Sequence, residues 1–109
     1  MTSASDPDDW RNQATAELFD AILSLRDRDE AAAFFRDLCT RRELEEMSSR
    51  WLVVRMLAGG ISYRRIATET GVSTATITRI NQWLRHGRGG YLAALSRLGL
   101  VDDEFKEQL

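Results

Sequence analysis

Residues 62 to 81 read SYRRIATETGVSTATITRIN, two helical patterns separated by only three or so residues. Helices joined that tightly can share a core only if particular sites are small or apolar. Ala67 lets the second helix cross close to the first, and Gly71 permits the left-handed turn that a side chain disfavours. Ile66, Val72, Ile77 and Ile80 supply apolar contacts, while Ser62 and Ser73 are suited to cap the two helix starts. Alanine four residues before the glycine and isoleucine six after it is the helix-turn-helix spacing.

The second of these helices has two unlike faces. At 100° per residue, Ile77, Ile80 and Leu84 fall together, and Ala75, Thr78, Arg79 and Gln82 lie opposite. The outward face is therefore short near its start and polar or basic further on. A helix entering a DNA major groove needs that shape: short side chains admit the backbone, hydroxyls and amides reach base edges, and arginines reach phosphates.

Charge supports the same reading once it is divided along the chain. The net charge is −2 over 109 residues, yet residues 1 to 60 carry −4, residues 61 to 90 carry +4, and residues 91 to 109 carry −2. Because screening limits exposed charges to about 8 Å at physiological salt, this local excess matters more to a polyanion than the total. Arg64 and Arg65 stand at the start of a helix, where the dipole does not favour cations, and a nearby phosphate backbone accounts for them.

Other chemistry finds little material. One cysteine, Cys39, permits no internal disulfide and reads as a small buried apolar residue. With a single histidine, His86, no metal-ligand cluster is expected, and no cofactor either. His86 suits a helix C-terminus. No nucleophile with paired carboxylates suggests an enzyme, and Gly87, Gly89 and Gly90 read as a hinge because no strand precedes them. The absence of a long apolar run and of a signal-peptide pattern predicts a cytoplasmic protein, at the nucleoid when bound to DNA.

The rest of the chain is helical, giving an all-α fold of six helices. Residues 1 to 9 are expected to form a flexible acidic arm, 10 to 99 the helical domain with its helix-turn-helix at 62 to 86, and 100 to 109 an acidic tail. Leu18, Phe19, Ile22, Leu23 and Leu25 mark one amphipathic helix, and Ala31, Phe34, Phe35 and Leu38 another. Asp27 with Glu30 and Thr40 with Glu43 have the offset of a capping box. The third helix, to about Ala58, places Leu44, Met47, Trp51 and Val54 on one stripe, broadened by Leu52, Val53 and Met56. Gly59 and Gly60 end it. Trp51 and Trp83 fall on apolar faces and are expected in the core, and Trp10 at a dimer edge.

LEEMSSRW followed by SYRRIATETGVSTATITR, after two helices, resembles the Trp repressor family in its YerC/YecD-type branch, over residues 11 to 98. The resemblance implies a homodimer with interlocked N-terminal helices, and a regulator, expected to be a repressor, that binds double-stranded DNA. It places Thr74, Ala75 and Thr78 near base edges, and Arg50, Thr76, Asn81 and Arg85 near phosphates, with Tyr63 and Arg64 as further contacts. In that family tryptophan binds between two arginines, whose counterparts are Arg50 and Arg79. Here the family's glycine is replaced by Ile80 and its small serine by Trp83, side chains expected to fill the cavity. Regulation without tryptophan is therefore the expectation; the alternatives are a protein-interaction module of the same shape and a repressor responsive to tryptophan or another small molecule.

Overall fold

The computed structural model describes residues 9–109, so the expected arm lies, apart from Asp9, outside the described residues. Seven helices and no strand occur among the described residues. They divide into two units, the first ending at Thr40 and the second running from Arg41 to Leu109.

The first unit holds α1 (Gln13–Leu23) and α2 (Arg28–Leu38). A capping box starts α1: Asn12 accepts from the Thr15 amide, and the Thr15 hydroxyl accepts from the Asn12 amide. Asp27 caps α2 by accepting from the Glu30 amide at 2.8 Å, but the Glu30 carboxylate accepts from the amide of Arg26 instead of Asp27. No residue of either helix is buried. Trp10 meets Phe19 edge-on, with ring centroids 5.9 Å apart. Cys39, expected inside, caps the end of α2 and is partly exposed.

The second unit is built around α5. It contains α3 (Arg41–Ala58), α4 (Tyr63–Thr70), α5 (Thr74–His86), α6 (Gly90–Arg97) and α7 (Asp103–Glu107), and α5 packs against α3, α4 and α6. Val53, Val54, Ile66, Ile77, Ile80, Leu84 and Leu95 form its core. Full burial of each such side chain contributes about 1.5–3 kcal/mol. The stripe on α3 thus sinks Val53 and Val54, while Trp51 is only half-buried and Leu52 faces outward. α3 ends in a tight reversal in which the Ile61 amide donates to the Met56 carbonyl at 3.0 Å.

A seventh helix, beyond the six expected, lies within the acidic tail at 100 to 109. Asp102 accepts from the Phe105 amide at 2.9 Å to start α7, and Val101 and Phe105 pack against the core. Five residues with one aromatic carry too little periodicity to show in the sequence. No described helix is long and apolar enough to cross a membrane.

Candidate nucleic-acid interface

The turn between α4 and α5 is set by local chemistry. Gly71 takes φ 75°, and its amide donates to the Ala67 carbonyl at 2.9 Å, closing the last turn of α4. Thr70 bridges the corner: its hydroxyl donates to the Ile66 carbonyl at 2.7 Å and accepts from the Val72 amide at 3.1 Å. Ser62 and Ser73 cap the helices by accepting from the Arg65 and Thr76 amides, each at 3.2 Å. Ile66, Ile77, Ile80 and Leu84 then disappear into the core.

Burying that stripe presents the opposite one to solvent. Thr74, Ala75, Thr78, Arg79, Gln82 and Arg85 on α5 are exposed, as are Tyr63, Arg64 and Arg65 on α4 and Arg50 on α3. Thr76 and Asn81 are half-buried, and their side chains accept from Arg79 and Arg85. Thr78 donates to the Thr74 carbonyl at 2.9 Å, which leaves its oxygen able to accept. Arg85 donates through Nε to Asn81 Oδ1 at 3.2 Å, and Asn81 thereby aims the guanidinium.

The two arginines at the start of α4 differ. Arg65 Nε lies 3.2 Å from Glu69 Oε1, an ion pair one turn along the helix that offsets its charge. Arg64 has no ion-pair partner among the described residues and keeps its full charge. Charge alone treats the two as equivalent; the helical spacing of Arg65 to Glu69 separates them.

Arg50 and Arg79 face a common cleft of about 560 Å³. Arg79 reaches back along α5 to donate through Nη2 to Thr76 Oγ1 at 3.2 Å, so it lines this cleft as well as the outer edge of α5. Glu46, Ser49, Val72, Ile80, Trp83 and Tyr91 complete the lining. Two expectations need correction. Trp83 is not in the core but 63% exposed, because it lies 100° around α5 from Leu84, at the margin of the buried stripe. Nor do Ile80 and Trp83 fill the cleft: Ile80, 3% exposed, is drawn into the core, and Trp83 forms a wall.

Glu46, Ser49 and Tyr91 are lining residues that sequence reasoning missed. Glu46 could have been found from its one-turn offset to Arg50 on α3, whereas Ser49, the residue before Arg50, has no such offset. Tyr91 could not, because its place beside Trp51, ring centroids 6.3 Å apart, comes from the docking of α6.

The family described as Trp repressor protein matches residues 13–99. This chain belongs to the Trp repressor family. It is 43% identical over 97 residues to the uncharacterized protein YerC of Bacillus subtilis (strain 168), covering 89% of this chain and 93% of that one. A TrpR-like protein from Eubacterium eligens ATCC 27750 has a similar crystal structure, with TM-score 0.79 and 46% identity, covering 85% of this chain and 96% of that one. A crystal structure from Staphylococcus aureus, provisionally described as a Trp repressor, gives TM-score 0.78 and 42% identity over 85% of this chain and 93% of that one. The Trp repressor family is a family of helix-turn-helix regulators, and the matched span contains all of α1 through α6 as well as every candidate residue.

Proposed function

We propose that this chain is a homodimeric, sequence-specific DNA-binding regulator, acting as a repressor, that inserts α5 into the major groove. The observation that carries this reading is the outward face of α5: short and hydroxylated at Thr74, Ala75 and Thr78, then cationic and amidic at Arg79, Gln82 and Arg85, all exposed. Arg64 and Arg50 flank it as phosphate partners. A second copy is called for by the apolar residues of α1 and α2, none of which is buried within one chain.

Binding to duplex DNA at several salt concentrations tests the reading. A dimer making 6–10 phosphate contacts loses about 10³–10⁵ in affinity between 50 and 200 mM salt. Selection from random duplex DNA should return a palindrome whose half-sites lie about one helical turn apart. If replacing Arg64 and Arg65 together by alanine leaves binding to every DNA unchanged, the chain is a protein-interaction module of the same shape.

Tryptophan is not the effector in this proposal. Trp83 walls the Arg50–Arg79 cleft at a position where the family's tryptophan site has a small residue. Calorimetry should detect no micromolar binding of tryptophan, and detecting it would overturn this part. The open cleft, with two guanidinium groups, one carboxylate and two aromatic rings, favours a second reading in which another small molecule controls DNA binding.

A further inference from the structure

The acidic segment 102–107 lies beyond the span matched to the family, and it is folded against the DNA-binding unit rather than free of it. Val101 and Phe105 pack on the core, and Asp102 holds the start of α7. This docking leaves a cleft of about 320 Å³ lined by Asp102, Glu104, Phe105 and Gln108 together with Arg85 and the end of α3. Arg85 is the guanidinium that Asn81 aims from the last turn of α5. The segment holds four carboxylates, at 102, 103, 104 and 107, and one cation, Lys106; of the four, Asp102 and Glu104 line the cleft with Arg85. Lys106 is already engaged by Asp103 at 3.6 Å.

We infer that α7 is a built-in electrostatic brake: docked through Phe105, it holds an excess of negative charge beside Arg85 and weakens the hold of α5 on phosphates. The inference rests on the DNA-binding reading above. Its physical basis is range. Exposed charges act over about 8–10 Å at ordinary salt, so acidic groups in the same cleft as Arg85 lower the local potential that a phosphate meets, whereas the distant acids of the chain do not. Phe105 matters because an undocked tail would sample positions outside that range. An acidic overall charge and a cationic reading face are thereby joined in one unit, with the acid placed where it tempers affinity.

The test is fluorescence-anisotropy titration of the full chain with a random-sequence duplex at 50 and 200 mM salt. The variant D103N/E104Q/E107Q keeps the Asp102 cap and the Phe105 anchor and removes three charges. It should bind about 3- to 10-fold more tightly at 50 mM salt, with the gain shrinking to less than about 2-fold at 200 mM. F105A, which releases the segment with its charge intact, should recover part of that gain. In an R85A background the gain should largely vanish. A neutralised variant that binds no more tightly than wild type would overturn the brake while leaving DNA binding in place. The same gain with or without Arg85 would also overturn it, since net charge rather than docking would then be responsible. If neither wild type nor the neutralised variant binds duplex DNA at any salt, the DNA-binding reading falls and the brake with it.

Discussion

The two units of this chain have similar apolar content and opposite fates. In α3 to α6, seven side chains are buried, and α5 alone contributes Ile77, Ile80 and Leu84. In α1 and α2, Leu18, Phe19, Ile22, Leu23, Phe34, Phe35 and Leu38 stand at helical spacing, yet none is buried and Leu23 is 82% exposed. Amphipathic patterning therefore specifies a helix and a face, but not what covers the face. Two 11-residue helices are too short and too few to cover themselves. The three helices packed against α5 are enough.

The largest effect that would sharpen this contrast is in the core. Ile77→Ala removes a fully buried side chain and should cost about 2–5 kcal/mol in urea unfolding followed by circular dichroism. In the other unit, Phe19→Asp should leave helix content nearly intact but convert the proposed dimer into a monomer in sedimentation equilibrium. A dimer that survives this change would mean that α1 is not the covered surface, and the contrast between the units would need another cause.

Backbone effects come next. Gly71→Ala forces a side chain into a left-handed conformation and should cost about 1–2 kcal/mol. No atom lies within 4 Å of the added methyl group, so the loss would measure conformational strain without collision. The smallest effects compare one chemistry in two settings. Ser73→Ala and Asn12→Ala each remove a helix cap worth about 1 kcal/mol. The first should lower the global unfolding midpoint, because α5 belongs to the core. The second should appear as faster amide exchange over the first turn of α1, with little change in the midpoint. Equal shifts in both midpoints would show that α1 unfolds together with α5.

Of the interface, the parts legible in sequence were those governed by short spacing. Gly71, the capping serines, the buried isoleucines and the exposed threonines all follow from residues at most four apart, where one hydrogen bond or one helical face decides the outcome. The neutralisation of Arg65 by Glu69 was equally local and was available from the same rule. Trp83 was misplaced because it sits at the margin of a face, where periodicity alone cannot say whether a neighbouring element reaches far enough to cover it. The open cleft between Arg50 and Arg79 likewise depends on where α3, α5 and α6 come to rest, and on which way Ile80 turns.

The sequence by itself determined an all-α chain of the Trp repressor family, a helix-turn-helix at 62–86 and a cationic outward face on α5. The family rests on resemblance, whereas the helices, the turn and the cationic face follow from turn dihedrals, capping groups and helical periodicity, all of which act over a few bonds. Only the tertiary structure decided that α7 exists and lies beside Arg85, that Trp83 is a wall rather than core, and that Tyr91 joins Arg50 and Arg79 around one cleft. Each of these depends on packing between residues remote in the chain, where the favourable term is burial of apolar surface. That term is non-directional, so no short pattern of residues announces which partner will supply it.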